Sequence, residues 1–281
     1  MKLVYPSRPP LVHAITNLVT ITFCANGILA VGASPVMTGT MPEAPEFTKA
    51  SNCLLINLGT GTDFAEMIVS ANVASSMGIP IVVDLAGAAA SPLRREITRQ
   101  IMECKNVTIK GNYSEIIALA KNENTAAGVD STIASLDSET LTQLQGFAND
   151  HDIILIGTGK EDLIFTAGEN KPVTLTGGHR LMATITGMGC CSSAVVAAFQ
   201  AMMHLNGVEM DSPVLKSDYQ SYSIKALALF KEAGKSAGQR ALQLAAQEKE
   251  GLIAGPGTFN TAFLDWLYRL APNFLSGLVH K

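Results

Sequence analysis

Four short, continuous runs of apolar residues restrict this chain to a small set of folds. They are CLLINLG at 53–59, IPIVVDLAG at 79–87, NVTIKGN at 106–112 and DIILIGTG at 152–159. Apolar runs of this length without polar alternation are typical of parallel strands buried on both faces. Between them, segments 62–78, 91–104 and 112–122 carry apolar residues at helical spacing, and each begins with a Thr, Ser or Asn suited to an N-cap. This alternation predicts an α/β fold with a mostly parallel central sheet flanked by helices.

The pattern changes after residue 159. DLIFTAG at 162–168 and KPVTLTGG at 171–178 predict a short hairpin at the edge of the sheet. Helical patterns then follow at 192–203, 217–238 and 259–270, and GPG at 255–257 separates the last two. The stretch from about 124 to 136 is predicted to be a surface loop. Because no linker or internal repeat divides the chain, we expect a single domain over residues 1–281.

Charge and composition exclude several classes of partner. The net charge is −4, only 16% of the residues are charged, and Lys and Arg form no cluster, so we expect neither nucleic acid nor an anionic membrane as a partner. Residues 1–17 are broken by prolines and do not form a signal peptide, and no run predicts a membrane span, so we expect a cytoplasmic protein. The five cysteines lack the spacing of a disulfide framework or a zinc site.

Small and polar residues follow all four predicted strands, as NLGTGTD, DLAGAAAS, KGNYSE and GTGKED. The carboxyl ends of parallel strands face the ligand crevice of such a sheet. Small residues let the backbone approach a ligand, and free N–H groups at the following helix start favour anions. Each turn alone also fits an ordinary connection. Together they predict a ligand that carries phosphate.

The tract TGMGCC at 186–191 is more specific, because a Gly-x-Gly turn leads directly into an apolar helix. Its backbone N–H groups and the positive end of the helix dipole suit a transferring phosphoryl group. Helix starts also lower thiol pKa values, so we expect a lowered pKa for Cys190. Cys191 lies about 100 degrees further around the helix, and we expect it to be a buried structural cysteine.

With these motifs the chain resembles the hydroxyethylthiazole kinase family of the ribokinase-like superfamily, from about residue 11 to about residue 260. The resemblance runs through LVHAITN, ANGILAVGASPVM, VDLAGAAASPLR, IKGNYSEI, GHRLMATITGMGC and GPGTF. It implies a ribokinase-like three-layer fold and Mg²⁺-dependent phosphorylation, by ATP, of the primary hydroxyl of 4-methyl-5-(2-hydroxyethyl)thiazole in thiamine biosynthesis or salvage. It also implies a homotrimer with the thiazole pocket at the subunit interfaces.

The resemblance assigns a role to each matching residue. Cys190 would receive or orient the hydroxyl proton; Asn17, Met37 and Gly187 would bind the thiazole; Lys110, Thr158 and Gly189 would bind ATP; Asp84, Asn112 and Glu115 would hold Mg²⁺ and its waters. From the residues alone, Asn17 fits a helix cap equally well, Met37 fits apolar packing, and Glu115 fits a solvated helix position. We expect His13 and His179, which lie in matching segments, to be structural.

The departures from the family pattern lie at the phosphate end. Met188 replaces a Thr between the two glycines, Lys110 replaces an Arg, and Ala89 replaces a Gly. Because Met188 lacks the hydroxyl, we expect the anion site to have one hydrogen-bond donor fewer and the enzyme to be slower. A weakly active or inactive ligand-binding paralogue is therefore one alternative. A hydroxymethylpyrimidine-type kinase is another, against which the segment ANGILAVGASPVM at 25–37 argues.

Overall fold

The computed structural model describes residues 8–40, 42–60, 64–124, 135–247 and 255–276. Within them lie eight strands: β1 Leu11–Ile15, β2 Ser34–Val36, β3 Cys53–Asn57, β4 Ile81–Asp84, β5 Val107–Asn112, β6 Ile154–Thr158, β7 Asp162–Thr166 and β8 Val173–Leu175. The α-helices are α1 Ile21–Ala30, α2 Ala44–Ala50, α3 Phe64–Ser76, α4 Pro92–Met102, α5 Tyr113–Lys121, α6 Ser138–Asp150, α7 Met188–Glu209, α8 Lys216–Gln247 and α9 Pro256–Ser276. A short 3₁₀ helix over Arg180–Thr184 precedes α7.

These strands form one sheet in the order β2-β1-β3-β4-β5-β6-β7-β8. The pairs from β2 to β6 in this order are parallel, whereas β7 pairs antiparallel with both β6 and β8. Asn57 pairs with Asp84, and Asp84 pairs with Lys110, at the carboxyl ends of β3, β4 and β5. The parallel register therefore brings the polar ends of the predicted strands to one edge of the sheet.

Alternate residues of each central strand face two separate apolar cores. In β3, Cys53 and Leu55 join the core built with α1, α7, α8 and α9, whereas Leu54 and Ile56 join the core on the opposite face. Helix α7 is long and apolar enough to cross a membrane by length and composition, but most of it is buried inside the protein, as in a core helix. The result is the three-layer arrangement that the sequence predicts, with helices on both faces of a mostly parallel sheet.

Most predicted elements are observed. The four predicted strands are β3 to β6, the predicted hairpin is β7–β8, and Ser91 and Asn112 cap α4 and α5. The predicted start of the last helix is wrong, because α9 already begins at Pro256. Proline is well suited to the first position of a helix, because the N–H group that it lacks would have no partner there. Most of the loop predicted at 124–136 lies outside the described residues.

Candidate active site

The site lies where the parallel strands end and α7 begins. Asp84, Asn112 and Thr158 are the last residues of β4, β5 and β6, and Asn17 comes two residues after β1. The first turn of α7 contains Cys190, and this helix packs against β1, β3 and β4. Residues that are far apart in the sequence therefore meet at one end of the sheet.

The Cys190 thiol is contacted by Asn17, which is far from it in the sequence. Asn17 Nδ2 lies 3.5 Å from Cys190 Sγ and donates to Asn57 Oδ1 at 2.9 Å. Asn17 Oδ1 accepts from the backbone N–H of Thr20 at 3.1 Å, just before α1. Asn17 thus bonds the backbone just before the start of α1 and also contacts the thiol, while its role in binding the thiazole stays a prediction.

The expected lowering of the Cys190 pKa is wrong for the protein without substrates. Burial raises the pKa of this thiol, and the negative charge of Asp84 raises it further. The Thr20 and Asn57 side chains near the sulfur, and the charge of Lys110, act in the opposite direction. The effect of burial on the pKa outweighs that of the helix start, because removing a thiolate from water costs more free energy than the partial charges of the helix N–H groups provide.

Cys191 is the buried structural cysteine that its position predicts. Its side chain is inaccessible to solvent and belongs to the core on the α7 side of the sheet. Burial raises its pKa well above that of an ordinary thiol. Its sulfur lies 2.6 Å from the point where a Cβ on Gly27 would be, so α1 and α7 meet closely there.

Asp84 is fixed by hydrogen bonds on both carboxylate oxygens. Its Oδ2 accepts from the hydroxyl of Ser193 on α7 at 2.5 Å, and its Oδ1 accepts from the backbone N–H of Ala86 at 3.0 Å. The side chain is nearly inaccessible. A carboxylate at the end of a buried strand needs such partners, and here they connect β4 directly to α7.

The predicted Asn-x-x-Glu element is a capping box at the start of α5. Asn112 Oδ1 accepts from the N–H of Glu115 at 3.0 Å, and Glu115 Oε2 accepts from the N–H of Asn112 at 2.8 Å. Glu115 Oε1 accepts from the N–H of Gly87 in the loop after β4, at 2.8 Å. Glu115 is therefore buried and oriented toward the Asp84 loop, and the solvated position considered for it is wrong.

The two carboxylates suit a divalent cation. Burial and the nearby charge of Asp84 raise the pKa of Glu115 to about 7. Two like charges held close together are relieved by a bound cation, and oxygen ligands of this kind are those that Mg²⁺ prefers. In the described part of the chain no group of three or more His, Cys, Asp or Glu side chains suits a metal. A site with one or two carboxylates fits an ion that keeps several waters and binds substrate phosphates.

Lys110 supplies a buried positive charge at the start of α7. Its Nζ donates to the backbone carbonyl of Gly189 at 3.1 Å, which ties β5 to the first turn of the helix. The space beside Gly189 is open, since a Cβ there would meet nothing within 4 Å. Thr158, at the end of β6, donates its hydroxyl to the carbonyl of Gly111 at 3.2 Å. A cation beside exposed helix N–H groups is an arrangement that attracts phosphate.

Gly187 is the N-cap of α7 and has a left-handed backbone with φ +84°. A Cβ at this position would lie 2.5 Å from Thr20 Cγ2, so glycine is required both by conformation and by space. Met37 follows β2 and is half-buried against the core on the α7 side. Met188 is itself buried in that core. Packing in the core therefore accounts for the Met188 side chain, while its expected effect on the anion site stays a prediction.

The two histidines have structural partners, as expected. His13 is fully buried, with Nδ1 2.8 Å from Thr48 Oγ1 and Nε2 2.8 Å from the carbonyl of Thr38. His179 accepts from the N–H of Leu181 and stacks on Phe259 at a ring-centroid distance of 6.0 Å. His13 thereby fixes the chain immediately after Met37.

Three residues of the site were not predicted from the sequence. Asn57 accepts from Asn17, Ser193 donates to Asp84, and Arg94 on α4 donates to the carbonyls of Gly59 and Ala86, in the loops after β3 and β4. A polar residue inside the apolar run at 53–59 was the available signal for Asn57. The partners of Ser193 and Arg94 depend on how the elements pack, so the sequence held no signal for them.

Comparison with known proteins places the chain in a family. A sequence model of the Hydroxyethylthiazole kinase family matches residues 4–273. The chain belongs to the hydroxyethylthiazole kinase family. Hydroxyethylthiazole kinase of Thermoanaerobacter pseudethanolicus is 34% identical over 95% of this chain and 92% of that protein. The hydroxyethylthiazole kinase of Nitratidesulfovibrio vulgaris is 35% identical over 94% of this chain and 89% of that protein.

Solved structures agree with this membership. The hydroxyethylthiazole kinase protein from Pyrococcus horikoshii OT3 superimposes with a TM-score of 0.71 and 30% identity, covering 94% of this chain and 90% of that one. Pyridoxal kinase from Staphylococcus aureus superimposes with a TM-score of 0.54 and 12% identity, over 82% and 88% of the two chains. The second likeness concerns the fold alone. The predicted ribokinase-like three-layer fold is confirmed.

Proposed function

We propose that this kinase transfers the γ-phosphoryl group of ATP, with Mg²⁺, to the primary hydroxyl of 4-methyl-5-(2-hydroxyethyl)thiazole, as a step in thiamine biosynthesis or salvage. Membership of the hydroxyethylthiazole kinase family supports the enzyme class and the alcohol acceptor. The observation that carries the assignment to residues is the position of Cys190. Its thiol lies in the first turn of α7, in contact with Asn17 and under the electrostatic influence of Asp84.

In this proposal Cys190 receives the proton of the attacking hydroxyl, and Asn17 holds the sulfur in place. Gly187 and Met37 line the thiazole pocket, where the glycine keeps the backbone of the turn close to Thr20. A positioned proton acceptor contributes roughly 10²–10⁴-fold to such reactions. Burial raises the pKa of this thiol in the protein without substrates. We therefore expect turnover to increase with pH as the thiol ionises.

The phosphate end of the site is assigned to the start of α7 and its neighbours. The N–H groups of Gly189 and Cys190 are among the helix N–H groups that have no partner in the helix, so they can donate to phosphate oxygens. Lys110 adds a positive charge beside them, and Thr158 adds a hydroxyl from β6. Asp84, Asn112 and Glu115 would hold Mg²⁺ and its waters. Bound Mg²⁺ supplies neutralisation of the charge that develops on the transferring phosphoryl group.

The proposal includes a single-domain cytoplasmic chain that forms a homotrimer. Leu18 and Val19 follow Asn17 directly, and their side chains are 75% and 66% exposed, although both are large and apolar. Apolar side chains beside the site are suited to burial at a subunit interface. Sedimentation of the purified protein measures the assembly. A stable, fully active monomer would contradict a pocket shared between subunits.

One assay tests the central proposal. Purified protein is incubated with hydroxyethylthiazole, ATP and Mg²⁺, and both ADP and the phosphorylated thiazole are quantified against a no-enzyme control. We expect stoichiometric formation of both products and much lower turnover with hydroxymethylpyrimidine. Binding of the thiazole without product at saturating ATP would instead identify an inactive ligand-binding paralogue.

A further inference from the structure

Asn57 is a buried polar side chain near the Cys190 thiol whose orientation is fixed by its neighbours. It ends β3 and is only 1% exposed. Its Oδ1 accepts from the backbone N–H of Gly59 and from Asn17 Nδ2, both at 2.9 Å. A backbone N–H is always a donor, so the atom facing Gly59 must be the oxygen of the amide. The orientation of the Asn57 amide is therefore fixed by its neighbours.

This orientation leaves the Asn57 NH₂ group without a partner. In the described residues, Nδ2 is buried and meets no acceptor in full hydrogen-bond geometry. The side chain nevertheless lies beside the Cys190 sulfur, where it favours the thiolate form. An unpaired buried NH₂ group is destabilising, and a native protein that retains one usually has a functional reason. An acceptor that becomes stronger during the reaction would provide that reason.

We propose that Asn57 is a positioning residue of the phosphoryl transfer: its Nδ2, together with Asn17 Nδ2, donates to the Cys190 sulfur and holds it as a hydrogen-bond acceptor directed at the substrate hydroxyl. Asn17 Nδ2 lies 3.5 Å from the sulfur and donates to Asn57 Oδ1, and the Asn57 side chain favours the thiolate, so one amide comes from the segment after β1 and the other from β3. A neutral thiol is a weak acceptor, whereas a thiolate accepts strongly. The pair therefore stabilises the ionised form without adding charge to a site that already contains Asp84.

This inference rests on the proposed role of Cys190 as the proton acceptor. In the reaction the hydroxyl proton moves to the Cys190 thiolate, which becomes a neutral thiol, and an oxygen electron pair forms the new bond to the γ-phosphorus. The bond from that phosphorus to the oxygen bridging the β- and γ-phosphates breaks, and ADP leaves with its electrons. The thiol then returns its proton to solvent, which restores the acceptor.

Two variants of Asn57 and two matched controls test the proposal. Asn57→Asp keeps an oxygen for Gly59 and Asn17 but loses the NH₂ group and adds a charge. Asn57→Ser loses the NH₂ group without adding charge. Asn52→Asp and Asn52→Ser are the controls, because Asn52 is also buried, precedes the same strand and accepts from a backbone N–H, that of Leu11 at 2.9 Å. Thermal unfolding establishes that each variant is folded.

The main readout is the rate at which iodoacetamide alkylates Cys190, measured by peptide mass as a function of pH. Both Asn57 variants should react about tenfold more slowly at about pH 8, because they lose a hydrogen bond to a charged acceptor. The midpoint of the pH dependence of alkylation should move to higher pH in both variants. The kcat should fall by a similar factor, while the KM for the thiazole stays within about twofold. The Asn52 controls should retain the wild-type midpoint.

Two results would contradict the proposal. If only Asn57→Asp slows alkylation, the effect comes from the added charge, and the donor role of the amide is refuted. If the Asn52 controls shift the midpoint as much, Asn57 has no specific connection to the sulfur. Alkylation requires neither ATP nor the thiazole. A midpoint shift in a protein that makes no phosphorylated thiazole would show that Asn57 donates to the sulfur, but it would reject the proposed function and with it the role of Asn57 in phosphoryl transfer.

Discussion

Replacing Glu115 by glutamine should remove a large pH dependence of stability. Burial and the Asp84 charge raise the pKa of Glu115 from 4.5 to about 7. The folded state thus retains a proton that the unfolded state releases, and stability falls as the pH rises from the lower value through the higher one. Each tenfold change in proton affinity is worth about 1.4 kcal/mol, so the full loss above neutral pH is about 3 kcal/mol.

The assay is denaturant unfolding of wild type and Glu115→Gln at about pH 5 and about pH 8, without divalent cations. Glutamine also disrupts a hydrogen bond to Gly87 or Asn112, but that cost is the same at both pH values. The difference in unfolding free energy between the two proteins should therefore shift by about 2.5 kcal/mol toward the variant at the higher pH, since part of the loss has already occurred at about pH 5. Glu139→Gln is the control, because Glu139 is also in the first turn of a helix but is exposed.

A metal titration extends the same experiment. At about pH 8, Mg²⁺ should raise the melting temperature of the wild type, because it binds the folded state, and it should do so less at about pH 5, where protons compete for Glu115. The variant should respond weakly at both. If the difference between wild type and Glu115→Gln is constant from about pH 5 to about pH 8, the pKa of Glu115 is not raised in the folded protein, and the argument for a cation site fails.

Three further predictions follow from the thiols and the core. Cys190→Ala should lower turnover by about 10²-fold or more, whereas Cys191→Ala should keep turnover and lose stability; equal turnover loss would reassign the thiol. Met188→Thr should lower the melting temperature without raising turnover at saturating ATP, since the side chain is buried in the core; faster turnover would place residue 188 at the phosphoryl group. Burial lowers the pKa of His13, so its contribution to stability is lost as the pH falls below about 6.5. Melting temperatures at about pH 7.5 and about pH 5.5 should therefore differ less in His13→Gln than in wild type, while exposed His151→Gln should match wild type.

The sequence predicts those parts of the fold that depend on local pattern. The strands β3 to β6 are continuous apolar runs, and the residues that end them lie at the site because parallel strands share one carboxyl edge. The strands β1 and β2 were not predicted, because one contains a buried histidine and the other has only three residues. Short runs of that kind carry little periodicity.

The finer properties of the site depend on tertiary packing. The pKa of Cys190 has the opposite direction to the one its helix position predicts, because burial and Asp84 act only in the folded protein. The direction of Met188 is set by how α7 lies on the sheet. The orientation of Asn57 is set by Gly59 and Asn17, partners on different segments that no spacing rule identifies.

Arg94 constrains how a protein of this kind could change its function over evolution. Through Gly59 it supports the loop that orients Asn57 at the thiol, and through Ala86 it supports the loop that donates to Asp84. A lineage that lost this arginine would weaken proton transfer and cation binding together. A single substitution at Arg94 should therefore disturb both loops at once, even though Arg94 itself contacts neither Cys190 nor Asp84 through the bonds that fix it.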